Sequence, residues 1–113
     1  MQYKPRKMMF KAWNKETRLL MRLNAIDCKK GELIKADHIL LQFTGLYDKQ
    51  KDEIYDMDVL LIGADKFVVC WNEERNGWSL VNLSNESEKK DFLAEVSQKA
   101  TRLWSYFETE KKT

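Results

Sequence analysis

The sequence predicts a small, mostly β domain of the α+β class: a barrel-like β-meander with an N-terminal β-hairpin and a C-terminal helix. Three observations predict it. Short segments before position 82 alternate apolar and polar residues, the period of a half-buried strand. Asn76-Gly77 stands between two apolar runs and marks a hairpin turn. Beyond position 84 the apolar spacing lengthens to that of a helix face.

At 113 residues the chain reads as one domain, residues 1–113, long enough to bury a core. Four Trp, four Tyr and five Phe supply that core, and a sign-mixed charged fraction of 34% suits a soluble surface. Only four Gly and one Pro are present, fewer than an all-β chain usually needs for its turns, which argues for a helical part. The longest apolar run, Val59-Leu60-Leu61-Ile62, falls far short of the ~20 residues of a membrane-spanning helix. No apolar stretch follows the basic N-terminus, so no secretory signal is expected. Cys28 and Cys70 lack metal or redox spacing, and a cytosolic chain with both thiols reduced is expected.

Residues 1–27 read as a basic β-hairpin. Met8 to Trp13 is the first strand, with Phe10 and Ala12 on one face and Lys11 and Trp13 on the other; Asn14-Lys15-Glu16-Thr17 is a polar turn, and Leu19 to Asp27 alternates as the second strand. A helix over Thr17 to Ala25 competes, because Leu, Met and Arg are good helix formers. Lys29-Lys30-Gly31 is a turn before a short strand near Leu33. Residues 39–82 read as a β-meander. Ile39 to Phe43 is a strand ending at Thr44-Gly45, Leu46 to Asp52 a charged loop, and Ile54 to Ile62 a strand with Asp56-Met57-Asp58 at its start. Gly63-Ala64-Asp65-Lys66 turns the chain, and Phe67 to Trp71 pairs with Trp78 to Val81.

Residues 84–107 read as the helical C-terminal part. Ser84 or Ser87 is placed to cap a helix, with Glu86, Glu88 and Asp91 near its positive end. Phe92, Val96, Ala100, Leu103 and Phe107 follow at spacings of four, four, three and four, and Leu93 widens that face. A helix from about Glu88 to Lys99 is expected. Leu103 to Phe107 either continues it or forms a last strand, and the tail from Glu108 to Thr113 reads as frayed.

Several of these segments carry a family pattern. The run Phe10-Lys11-Ala12-Trp13-Asn14-Lys15-Glu16, with Met21 after it, resembles the opening motif of the YopX family. Gln42, Thr44, Gly45, Leu46, Asp48, Glu53, Ile54, Tyr55 and Asp58 match the family centre identically; Phe43, Asp56, Val59 and Leu60 match in kind. The hairpin from Phe67 to Val81 is a third match. Lys51 and Met57 stand where the family usually has glycine, which implies an altered turn or one that never needed positive φ. The resemblance implies a mostly β, barrel-like fold related to SH3-type barrels, encoded by a phage or prophage, with no established activity.

Candidate chemistry is sparse. His38 is the only histidine, and Cys28 lies ten residues before it, close enough across a turn for the two to meet. No glycine-rich oxyanion loop supports a thiol catalyst, so a structural histidine is the preferred reading. Asp48, Asp52, Glu53, Asp56 and Asp58 form the densest acidic cluster; its spacing is not an EF-hand loop, and turn stabilisation is preferred to metal binding. Thr44-Gly45 without a following helix makes a poor phosphate cradle. Trp71, Trp78, Trp104 and Tyr106 either line a recognition groove or fill the barrel.

Charge gives the sharpest candidate. Residues 1–24 hold seven basic side chains against Glu16 alone, a net +6, while residues 25–113 hold 13 basic and 17 acidic ones, a net −4. Lys7, Lys11 and Trp13 on one strand face, with Arg22 across from them, form a candidate nucleic-acid grip in which cations hold phosphates and the indole stacks a base. The competing reading is a hairpin whose Trp13 packs against the C-terminal helix. The preferred expectation is a non-enzymatic interaction module with no catalytic residues, metal or cofactor, acting in the host bacterial cytosol on a phage or host protein. Nucleic-acid binding is the alternative, self-association stays open, and no membrane role is expected.

Overall fold

A computed structural model describes residues 1–109, and its architecture is mostly β with a curled, half-barrel sheet. The first sheet has the order β2-β1-β5-β6, formed by β1 (Phe10–Asn14), β2 (Leu20–Arg22), β5 (His38–Tyr47) and β6 (Glu53–Tyr55). Between its members, β3 (Asp27–Lys29) and β4 (Glu32–Ile34) make a separate exposed hairpin across Lys30-Gly31. The second sheet has the order β10-β9-β8-β7-β11, from β7 (Asp58–Ile62), β8 (Asp65–Asn72), β9 (Gly77–Asn82), β10 (Asn85–Asp91) and β11 (Thr101–Ser105). Two four-residue helical turns, α1 (Ala94–Ser97) and α2 (Tyr106–Thr109), flank β11.

The expected N-terminal hairpin forms as a strand pair, not a helix, with Lys11 opposite Arg22 and Trp13 opposite Leu20. Its second strand is only three residues long, and Leu19 and Met21 lie on a solvent-exposed face. The meander is present as well: β7, β8 and β9 pair in succession, with Trp71 opposite Trp78 beside the Asn76-Gly77 turn.

Three expectations are corrected. The single strand from Ile54 to Ile62 is two strands, broken at Asp56-Met57, where the chain leaves the first sheet and enters the second. Thr44-Gly45 does not end a strand. It sits inside β5, whose register against β6 shifts between Phe43 and Tyr47. This is a bulge, and Gly45 at φ +88° supplies the backbone angle it needs; a Cβ added there would meet no atom within 4 Å, so conformation and not space calls for glycine.

The third correction is the helix from Glu88 to Lys99. Residues 85–91 form β10, and only Ala94–Ser97 is helical. Contacts with β9 and the β8–β9 turn decide the outcome. The Asn82 side chain accepts the Ser84 N–H (2.8 Å) and donates to Glu88 (2.9 Å), turning the chain back onto β9. Arg75 grips Asp91 with two bonds of 2.7 and 2.8 Å at the other end. A helix preference of a few tenths of a kcal/mol per residue is readily overridden by such contacts. Leu93 is 53% exposed and widens no apolar face. The segment left open, 100–107, resolves into β11 followed by α2. The expected frayed tail falls, from residue 110 onward, outside the described residues.

The i, i+4 spacing nevertheless identified core residues. Phe92 and Ala100 are buried with Ile54, Leu60, Phe67, Val69 and Leu80, and Val96, Leu46, Ile62 and Trp78 pack on them. Each such fully buried large apolar side chain contributes roughly 1.5–3 kcal/mol. A second apolar group joins the first sheet to the C-terminus: Trp13 stacks on Phe107 at 5.7 Å, and Phe43 contacts Tyr47 and Tyr55 at 5.5 and 5.6 Å.

The two departures from the family glycines keep the glycine geometry. Lys51 has φ 69° and Met57 has φ 67°, so both turns do use positive φ and carry L-residues in the left-handed region. That conformation costs an ordinary residue roughly 1–2 kcal/mol. Lys51 is exposed, so its side chain offers little compensation. Lys51→Gly is therefore expected to stabilise the fold by about 0.5–1 kcal/mol, after the entropy glycine adds to the unfolded chain. Urea unfolding measures this. Lys51→Ala is the control, because it removes the charge and keeps the strain; an equal gain there would assign the effect to charge.

Candidate functional site

The acidic cluster is a structural clasp. Asp48, 3% exposed, accepts the Gln50 N–H (2.8 Å) and the Asp52 N–H (2.9 Å) on one carboxylate oxygen and the Arg102 N–H (2.7 Å) on the other. Asp58, 1% exposed, accepts the Tyr55 N–H (2.8 Å) and the Arg102 Nε–H (2.9 Å) on Oδ2, and the Arg102 NH2 group (3.3 Å) on Oδ1. The two carboxylates thus hold the β5–β6 loop, the β6–β7 turn and β11 together through Arg102. Burial pushes the Asp58 carboxyl up, and the Arg102 guanidinium and Tyr55 N–H pull it back. Burial also weakens Arg102's hold on its proton, but the bond and charge of Asp58 outweigh it and raise its pKa. No group of three metal-ligating side chains occurs among the described residues.

Asp56, half-buried on the same turn, behaves differently. Burial, then the Asp58 charge, raise its carboxyl to about 6. The Tyr55 phenol, which donates to Glu53 (3.1 Å), is raised to about 12 by burial first and that carboxylate second.

The four residues of the candidate nucleic-acid grip are dispersed in role. Lys7 is exposed in the segment before β1. Lys11 stands opposite Arg22, yet its ammonium lies 4.4 Å over the Tyr55 ring, and burial followed by the Arg102 charge lowers its pKa. Arg22 is ion-paired to Glu53 at 2.8 Å. Trp13 is 3% exposed and stacked on Phe107 in α2, so no base reaches its ring. The alternative reading of Trp13, packed against the C-terminal helix, is the one observed.

Other candidates resolve as follows. His38 Nδ1–H donates to the Ala36 carbonyl at 2.7 Å, Cys28 lies exposed on β3, and no hydrogen bond joins them among the described residues. Thr44 donates its hydroxyl to the Ile54 carbonyl (2.8 Å) and accepts the Leu46 N–H (3.1 Å), so it belongs to the bulge. Trp71 and Trp78 meet edge to face at 5.2 Å, with Trp71 47% exposed, while Trp104 lies apart on β11 beneath Lys66.

Sequence reasoning missed one concavity. An open groove of about 630 Å³ lies between the end of β5 and α1, lined by Leu46, Tyr47, Lys49, Lys51, Ala94 and Gln98 among others. Tyr47 is 41% exposed there. Asp48 also lines it, but its carboxylate is occupied by three backbone N–H groups. Neither lysine has an ion-pair partner among the described residues, so the rim is positive. Arg102 was missed too, because it lay in a segment left open between helix and strand.

The family model described as YopX protein matches residues 8–103. The chain belongs to the YopX family. The crystal structure of protein EF1440 from Enterococcus faecalis has the same fold, with a TM-score of 0.65 over 95% of this chain and 98% of that one at 16% identity. No curated protein matches the chain. The YopX signature residues Asp48 and Asp58 are the two carboxylates of the clasp, and Gly45 is the bulge glycine.

Two outcomes follow for this YopX domain. Arg102→Ala leaves the 1%-exposed Asp58 carboxylate without its cation and should destabilise by roughly 3–5 kcal/mol in urea unfolding. Arg22→Ala, which breaks the exposed pair with Glu53, should cost less than about 1 kcal/mol; equal losses would contradict the clasp. The second outcome concerns pH. Asp56 binds its proton more tightly folded, to about 6, than at its ordinary value of 3.8, so its contribution is full below the ordinary value and is lost as pH rises through about 6. The thermal midpoint should fall between about pH 5 and about pH 7.5. Asp56→Asn should flatten that fall and be the more stable form at the higher pH; an unchanged pH slope would refute the assignment.

Proposed function

We propose that this protein is a phage- or prophage-encoded, non-enzymatic protein-interaction module that works in the host bacterial cytosol. The observation carrying this reading is the groove between β5 and α1. Its 630 Å³ lie within the size range of sites that take a ligand or an anchoring side chain. Leu46, Tyr47 and Ala94 give it an apolar lining, and Lys49 and Lys51 a charged rim, the arrangement of an anchor pocket with an orienting border. Asp58 and Arg102, whose pKa values are shifted at the sheet junction, belong to a clasp that fixes loops, which counts against their use in turnover. Nucleic-acid binding remains the second reading, carried by Lys4, Arg6 and Lys7, all exposed ahead of β1. It loses the stacking contribution of Trp13.

Site-specific photocrosslinking in phage-carrying cells tests the first reading. A crosslinker at Tyr47 should yield a discrete protein adduct that one at Glu86 on β10 does not. Combined Lys49→Glu and Lys51→Glu should abolish it. Identical adducts from both positions, or none, would sink the groove as the docking site. Binding of labelled DNA or RNA that falls steeply with salt, with no adduct, would replace it by the nucleic-acid reading.

A further inference from the structure

The outer strand β2 offers a second surface, independent of the groove. It closes one side of the first sheet, with β1 as its neighbour. The ladder fixes which of its backbone groups face outward. The Asn14 N–H donates to the Leu19 carbonyl (2.9 Å) and the Leu23 N–H to the Phe10 carbonyl (3.3 Å). In an antiparallel ladder hydrogen-bonded and non-bonded pairs alternate. Ala12 and Met21 are therefore the bonded pair between those two. Leu20 and Arg22 turn their N–H and C=O groups to the open side.

The other side chains along this edge are apolar and basic. Leu19 is 61% and Met21 43% exposed, and they project to one face. One outer strand of the second sheet is guarded quite differently: β10 presents Glu86, Glu88, Lys89, Lys90 and Asp91, the charged blunting usual for a free edge. Charge decides what the β2 edge fits. It lies within the first 24 residues, which carry a net +6, with Lys15 exposed on the hairpin and Lys4, Arg6 and Lys7 on the segment leading into it, while Arg22 is already paired with Glu53. A second copy paired antiparallel on β2 would bring two such hairpins together and incur like-charge repulsion. An acidic strand gains from the same field.

We propose that β2 accepts an extended acidic segment of a partner protein as an added antiparallel strand. The Leu20 and Arg22 backbone groups form its ladder, Leu19 and Met21 seat its alternate apolar side chains, and the surrounding lysines and arginines meet its carboxylates. Three residues of strand limit the contact, which suits a reversible attachment.

The full chain is titrated with a fluorescent peptide alternating valine and glutamate, with its valine-lysine counterpart, and with a glutamate peptide N-methylated at alternate backbone nitrogens. Amide hydrogen exchange is followed in parallel. The acidic peptide should bind in a salt-sensitive manner and slow exchange at Leu20 and Arg22, while Met21, already bonded to β1, changes little. N-methylation in the register facing β2 should weaken binding by at least about tenfold, since it removes the two peptide N–H groups opposite the Leu20 and Arg22 carbonyls and leaves those carbonyls unpaired. Leu20→Pro should do the same, since it removes an outward N–H and no ladder bond; the methylated peptide covers the case in which that variant does not fold. Equal binding of the lysine peptide, protection confined to Gly45–Lys49, or self-pairing that protects Leu20 and Arg22 without peptide would each overturn the proposal. So would protection of the same amides by duplex DNA with no effect of the peptide.

Discussion

The contact on which the rest of this fold depends is Arg102 between two buried carboxylates. Its guanidinium meets Asp58 and its backbone N–H meets Asp48. These bonds tie β11, the last strand of one sheet, to the loop and turn through which the chain leaves the other. Desolvating two charges is expensive and is offset only when geometry is good and the spare lone pairs are satisfied. Both conditions hold: each carboxylate also accepts backbone N–H groups, and no buried side-chain nitrogen or oxygen lacks a partner among the described residues. The clasp contributes specificity of arrangement more than raw stability, since it dictates which loop lies against which strand.

That arrangement explains the strain accepted at Lys51 and Met57. The Asp48 loop closes only if the chain turns sharply between Gln50 and Asp52, whose N–H groups both reach one oxygen of Asp48. Met57 has a comparable task. Its N–H donates to the Val69 carbonyl and its carbonyl accepts the Tyr106 N–H, both at 2.7 Å, so a single residue splices β8 to the start of α2. A left-handed backbone is the conformation these bonds require, and they hold it whether or not the residue is glycine.

Much of the fold was legible because its cause is local. Period-two alternation and Asn76-Gly77 located the hairpins, and the spacing of Phe92, Val96 and Ala100 found residues that do face one core. The failures share a different cause. Nothing near Glu88 signals that Asn82 and Arg75 will hold this stretch as a strand, since those partners act through tertiary contact. Likewise the break at Asp56-Met57 is invisible to periodicity, because the strands on either side are both apolar and simply belong to different sheets. For the candidate sites, residue type misled where burial was unknown. Trp13 beside cations reads as a stacking platform until Phe107 is seen against it. The groove could not be read at all, as β5 and α1 are far apart in the chain.

The signature itself is used up by the fold. Thr44 and Gly45 shape the bulge, Asp48 and Asp58 grip Arg102, Glu53 receives Arg22 and the Tyr55 phenol, and Ile54 and Tyr55 are buried. A motif most of whose polar groups are engaged internally reports how the chain is built and leaves little free to act on a ligand. Membership of the family therefore fixes the scaffold without fixing an activity. Whatever distinguishes this protein in function must come from groups the clasp does not consume: the lysines and Tyr47 at the groove, and the open backbone and exposed apolar side chains of β2.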